Sequence, residues 1–268
     1  MIEVPAPYSL VYREVTGSTN DDALALARDG APDFTLVWAR RQTKARGRHA
    51  RPWISDPGNL YWSLLLRVQG LGVPVEGLAF VAGLAVADTV AGCVNPARRV
   101  ALKWPNDVLV DDAKTSGILI ERDDEWAVVG IGINHEIAPD PAAVLYRTTC
   151  LREAGAAGLT VEALCRRLCL AFHRWYLVWR AEGFGPTMRE AYMARMWRLG
   201  ERIDVSFDRE KRTVRSGINR GIDPRGHLLL DVAGSGVEAI SSADVLFPRQ
   251  PPAAGISSSA STASRSPT

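Results

Sequence analysis

In the stretch RRQTKARGRHARPW, residues Arg40 to Arg51 carry five arginines, one lysine, one histidine and no acid. So dense a run of fixed positive charge suits an anion: a nucleic-acid backbone, a nucleotide phosphate or a carboxylate. Three other segments hold polar groups that a fold alone does not demand. GSTN (17–20) sets two hydroxyls and an amide ahead of a helix-like run. KWPND (103–107) and KTSGILIE (114–121) set Lys103 and Lys114 against apolar, strand-like residues. GIGIN (130–134) ends a third apolar run on Asn134.

Singly, each segment has a plainer explanation. GSTN works as a helix cap. KWPND works as a turn, since Pro105 holds its own φ and keeps Trp104 extended while Asn106 and Asp107 favour a bend. Each lysine alone reads as a solvated side chain with an apolar stem. GIGIN fails as a dinucleotide fingerprint, because His135 stands where the third glycine belongs and no helix follows. No phosphate-binding G-x-x-x-x-G-K-[ST] is present either.

The elements that must position these segments follow from periodicity. YSLVYREV, FTLVWARR and LYWSLLLRV read as strands, with the last two flanking the basic loop. STNDDALALARDG reads as a helix capped by Ser18 or Thr19, with acids in its first turn and Gly30 at its end. LAFVAGLAVADTVAG reads as a buried helix whose small residues allow close approach to a sheet. VALKWPND, VLV, SGILIER and WAVVGIGIN are short apolar runs separated by turns, a meandering sheet. Two helices, TVEALCRRLCLAFHRWYLVWRAEG and PTMREAYMARMW, follow, their aromatics at core spacing. After RLGERI the pattern changes to RIDVSF, KRTVRSGI, HLLLDV and VEAIS, a small barrel-like unit. The expected class is α+β, a mixed or antiparallel sheet with packed helices. The expected units are 1–199, 200–248 and a disordered Ser/Pro-rich tail, 249–268.

A net charge of +2 from 32 basic and 30 acidic residues makes the basic loop a local feature. A protein living on nucleic acid shows a broader excess, so composition leans away from that class. LAFVAGLAVADTVAGCV is interrupted by Asp88 and too short for a membrane span, and the N-terminus shows no secretory pattern. Cys93, Cys150, Cys165 and Cys169 make no disulfide framework and read as core packing. A reducing cytoplasm fits.

Together, GSTN, QTKARGRHARPW, GNLYWSLLL, KWPNDVLVDDAKTSGILIE and VGIGIN resemble the catalytic domain of the biotin protein ligases. The resemblance runs from about Tyr8 to the end of GIGIN and is specific jointly, though weak singly. It implies the class II aminoacyl-tRNA-synthetase-like fold of biotin and lipoate ligases, with an SH3-like barrel behind it. It also implies an ATP-dependent activity: biotin is activated as biotinyl-5′-AMP and passed to a lysine of a biotin carboxyl carrier protein or carrier domain. Carried over by position, Ser18, Thr19, Asn20 and Gln42 match residues around the biotin rings. Arg46, Gly47 and Arg48 match the core of a loop closing over biotin and phosphate, and Lys114 matches the lysine between carboxylate and α-phosphate. Arg46, Arg48 and Lys114 are thus the catalytic set the resemblance implies. Lys103 and Asn106 fall in an ATP motif, Asp107 with them as a magnesium ligand, and Asn134 matches an asparagine near adenine.

The chain departs from the family's loop, G-R-G-R-x-G-R, at Ala45 and Ala50. Where either position needs a positive φ, alanine costs about 1–2 kcal/mol. Mutual repulsion of the loop's charges predicts a loop that is disordered until an anion arrives. The nearest rival is a lipoate or octanoate ligase or transferase of the same fold, for which an apolar pocket would replace the polar groups. A nucleic-acid binder using DREKRTVRSGINR is opposed by Asp208 and Glu210 within it. The pattern begins within about ten residues of Met1, so no DNA-binding domain is expected before it and no operator binding; a homodimer stays open.

Overall fold

The structure, a computed structural model, describes residues 3–247 other than 145, 209 and 211. The tail expected to be disordered from Arg249 lies outside the described residues. Strand β1 (Ser9–Thr16), helix α1 (Thr19–Arg28), β2 (Thr35–Gln42) and β3 (Leu60–Arg67) come first, followed by α2 (Leu78–Ala91). The meander β4 (Val100–Lys103), β5 (Asp107–Val110), β6 (Ala113–Asp123) and β7 (Trp126–Ile133) comes next. Then come α3 (Val161–Glu182), α4 (Pro186–Met193), β8 (Arg202–Ser206), β9 (Val214–Ile222), β10 (Leu228–Val232), β11 (Gly236–Ile240) and β12 (Asp244–Val245).

The large sheet runs β1-β2-β3-β7-β6-β5-β4. β1 and β2 are parallel, joined through α1, and every other neighbouring pair is antiparallel. The sheet is mixed, as expected. The small sheet, antiparallel throughout, runs β11-β10-β9-β8-β12. The class is α+β.

β3 is buried along nearly its whole length because both faces of the sheet are covered. Alternate residues go opposite ways: Leu60, Trp62, Leu64 and Leu66 join the main core with α2 and α3, while Leu65 packs under α1 with Ala23, Ala27, Val37 and Val128. α2 is buried nearly all round, which its small residues permit. Cys165 and Cys169 lie in that core with free thiols. The small sheet shares it through Ile203, Val205, Leu228 and Leu230, and Trp104 Nε1 donates to the Gly226 carbonyl at 3.0 Å. Among the described residues no helix is long and apolar enough to cross a membrane.

Candidate active site

α1 covers only part of its side of the sheet. Beyond its N-terminus a cavity of about 450 Å³ opens on that face, lined from the large sheet, the basic loop and the β12 segment. Its floor is cut by glycines at alternating positions of two paired strands. Gly117 pairs with Gly132, and Gly130 pairs with Leu119. A methyl group on Gly132 would stand 2.7 Å from the Trp53 indole, and one on Gly130 would run into the Asn20 amide. These positions are glycine because another group presses on the strand.

One wall is polar. Gln42 Oε1 accepts from Thr19 N at 2.8 Å and Thr19 Oγ1 at 3.0 Å, and Gln42 Nε2 donates to Ser55 Oγ at 3.2 Å. Ser63 Oγ, on the α1 side of β3, lies 2.7 Å from Thr19 Oγ1 and 2.6 Å from Asn20 Oδ1. Ser18 occupies the N-cap position of α1, yet its hydroxyl caps no backbone N–H. The capping explanation of GSTN therefore fails at the side chain.

The other wall is charged. Lys103, Asp107 and Lys114 are 5%, 8% and 8% exposed, which rules out solvated decoration for both lysines. Lys103 Nζ donates to Asp107 Oδ2 at 3.4 Å. Lys114 Nζ approaches Asp107 Oδ1 to 2.6 Å as an ion pair. Burial alone would push the Asp107 carboxyl up, but Lys114 and Lys103 together hold it below the ordinary range. Burial also pulls Lys103 down, with Lys114 adding repulsion. Lys114 goes the other way: burial opposes its charge, and Asp107 and Tyr146 more than offset it. Asn106 Nδ2 donates to the Ile118 carbonyl at 3.0 Å, tying the KWPND turn to β6.

The basic loop is folded against this cavity, contrary to the expectation of charge-driven disorder. Acids from elsewhere in the chain neutralise it. Arg46 makes a bidentate pair with Asp21 at 2.6 and 2.9 Å and also bonds Glu121. Arg48 donates to the Ala243 carbonyl and Asp244 Oδ1, each at 3.1 Å, and Arg51 pairs with the same carboxylate. The Gly47 N–H is spent on the Arg51 carbonyl at 2.8 Å. Ala50 takes φ +54°, so the loop accepts the strain foreseen there, and the adjacent exposed His49 sits at +56°. Ala45 is not among the left-handed residues.

Of the residues singled out from sequence, Ser18, Thr19, Asn20, Gln42, Arg46, Gly47, Arg48, Lys103, Asn106, Asp107 and Lys114 all line this cavity. Asn134 does not; it is buried, and its Nδ2 donates to the Thr149 carbonyl at 3.2 Å. Nor does the donor set suit a resident metal. Asp107 is committed to two ammonium groups and Asp244 to two guanidiniums, and no cluster of three or more His, Cys, Asp or Glu side chains occurs among the described residues. The expected magnesium-ligand place of Asp107 is thus taken by Lys103 and Lys114.

Several lining groups were missed from sequence. Trp53 and Tyr146 flank Lys114 Nζ at 5.3 and 5.2 Å. Phe247 stacks on Tyr146 with centroids 5.1 Å apart and carries Lys103 Nζ at 4.5 Å over its ring. Ser63 and Asp244 complete the set. Alternate glycines in adjoining strands were the readable signal for the floor; Trp53 and Ser63 stand inside strings quoted above, while Tyr146, Asp244 and Phe247 come from segments with no local mark.

The chain matches the model of the biotin/lipoate A/B protein ligase family over residues 12–135. It is 39% identical over 240 residues to the biotin–[acetyl-CoA-carboxylase] ligase of Paracoccus denitrificans, covering 87% of this chain and 98% of that one. It is 37% identical over 241 residues to the protein of that name from Mycobacterium tuberculosis, covering 87% of each. Among solved structures it is similar to the biotin protein ligase from Aquifex aeolicus in complex with biotin and ATP, with a TM-score of 0.78 and 26% identity over 90% of this chain and 99% of that one.

Proposed function

Because the chain belongs to the biotin/lipoate A/B protein ligase family, and within it to the biotin–protein ligases, we propose how its own residues carry the reaction. The enzyme uses ATP to convert biotin to biotinyl-5′-AMP and transfers the biotinyl group to a carrier-protein lysine. The observation that supports the assignment best is the division of one cavity into a hydrogen-bonding wall and a buried cationic wall across a glycine floor. A ureido ring offers donors and acceptors that Thr19, Asn20, Gln42, Ser63 and the free Ser18 hydroxyl can match; a fatty chain offers none. That polarity favours biotin over lipoate or octanoate.

In the first step a carboxylate oxygen attacks the α-phosphorus and pyrophosphate departs. In the second the acceptor amine attacks the acyl carbon, loses a proton, and AMP departs. Both steps gather negative charge beside Lys114, and fixed positive charge there lowers both barriers. Phosphate oxygens replace Asp107 as partners of Lys114 and Lys103. Magnesium comes as Mg-ATP, part of the substrate. Tyr146 and Phe247 offer a flat apolar surface for the adenine ring, and Asn134 acts on it indirectly by holding Thr149 near Tyr146. The acceptor is a carboxylase carrier domain, and operator-specific DNA binding is not part of this reading.

Biotin-dependent exchange of labelled pyrophosphate into ATP tests the assignment. Exchange driven by lipoate or octanoate but not by biotin would overturn it.

Arg48 is the loop's anion contact, since its guanidinium is half-buried at the cavity edge and leans on a single carboxylate that a phosphate can replace. Arg48→Gly should therefore release biotinyl-adenylate about tenfold faster, the loss of one charge-assisted contact, with a smaller effect on its formation. The readout is labelling of bystander lysines on an unrelated protein. A variant that forms adenylate yet labels bystanders no more than wild type removes Arg48 from this role.

A further inference from the structure

The first arginine of the basic loop is differently placed from the second. Its guanidinium carries two carboxylates: Asp21, from the first turn of α1, and Glu121, from β6. Glu121 Oε1 lies 3.1 Å from Arg46 Nε and 2.9 Å from Nη2, and Oε2 lies 3.0 Å from Nη2. The same Oε2 accepts from Asn20 Nδ2 at 2.7 Å, and Asn20 Oδ1 faces Ser63. β6 places Glu121 opposite Val128, on the α1 side of the sheet and four pairs along from Gly117 and Gly132. A single carboxylate on a central strand thus holds both the polar wall and the start of the loop. With both acids on it, Arg46 has no uncompensated charge to offer a phosphate.

We propose that Glu121 is a positioning residue for biotin capture: it fixes Asn20 and Arg46 as one unit, so that Arg46 anchors the loop while Arg48 alone reaches the anion. The inference rests on the ligase reading for its kinetic consequences and on geometry alone for the anchor. Losing the anchor costs order in the loop before biotin binds, which appears in KM. Chemistry at Lys114 lies at the other wall, so kcat at saturation changes little.

The test uses Glu121→Gln, Arg46→Gln and the double variant in the full-length protein. Each single change should raise the biotin KM about tenfold, the scale of a charge-assisted hydrogen bond, with kcat changing less than about twofold. The double variant should be no worse than the singles, because both remove one interaction. Trypsin, without substrates, should cut the loop faster in all three than in wild type. Three results would each overturn the proposal: multiplicative KM effects in the double variant; a hundredfold loss of kcat in Arg46→Gln at unchanged KM, which marks a phosphate clamp; or a lowered thermal midpoint in Glu121→Gln with KM and loop cleavage unchanged, which marks a structural glutamate. Absence of biotin-dependent exchange in wild type would sink the ligase reading instead, leaving the trypsin comparison to judge the anchor.

Discussion

Lys114→Gln is expected to slow both half-reactions by about two to three decades, a loss of roughly 3–4 kcal/mol in each transition state. The residue is preorganised to an unusual degree. Its backbone N–H bonds the Arg147 carbonyl at 2.8 Å and its carbonyl accepts from Thr149 at 3.0 Å, so the strand start is pinned from outside the sheet. The Trp53 and Tyr146 rings lie 5.3 and 5.2 Å from the ammonium, and Asp107 Oδ1 lies 2.6 Å from it. The raised pKa keeps Lys114 charged above the ordinary lysine range, so no rate change from its titration should appear between pH 6 and about 10. Glutamine keeps hydrogen-bonding capacity and removes the charge. Lys114→Arg should recover the rate only in part, since a planar guanidinium cannot put its charge at the same point between two rings. Pyrophosphate exchange and transfer from preformed biotinyl-adenylate are measured separately on folded protein. Near-wild-type rates in both would remove Lys114 from the chemistry.

Much of this arrangement could be read along the chain, and the limit of reading has a physical form. β3 was visible because a continuous apolar run of strand length needs cover on both faces, and it has it. The parallel pairing of β1 with β2 was not visible, since alternation specifies a face and not a direction. Thr19, Asn20, Gln42 and Lys114 were found because family spacing reflects a local chain path. Asp244 and Phe247 could not be found this way: they lie almost two hundred residues from Arg48 and reach the cavity only after the small sheet docks. The basic loop shows the same limit. Repulsion within it follows from its own residues, while Asp21, Glu121 and Asp244, which cancel it, arrive from three other elements. Asn134 is the converse case, a residue in the right motif whose amide is bonded to the Thr149 backbone carbonyl and does not line the cavity.

Asp107→Asn should destabilise the fold by about 3–5 kcal/mol, because it strands two buried ammonium groups without their counter-ion. For a chain of this size that lowers the thermal midpoint by about 10 °C. The pH dependence has a definite sign. Without the carboxylate both lysines favour the neutral form when folded, the direction burial already imposes on Lys103. The unfolded chain then binds more protons than the folded one between the depressed pKa values and the ordinary lysine value. Stability of the variant therefore rises with pH through that window, up to about pH 10.4. Asparagine cannot repair the site, since its NH₂ points a donor at one ammonium while its oxygen serves the other. A phosphate can. Mg-ATP should consequently raise the thermal midpoint of Asp107→Asn by more than it raises that of wild type, because the nucleotide replaces the missing anion and binding to the folded state adds directly to stability. A magnesium-ligand role for Asp107 gives the opposite sign: the variant would hold Mg-ATP more weakly and gain less than wild type. Thermal midpoints with and without Mg-ATP in both proteins decide between the two. A smaller gain in the variant would return Asp107 to the metal, and a larger one would fix it as the anion that keeps Lys103 and Lys114 charged until the phosphates come.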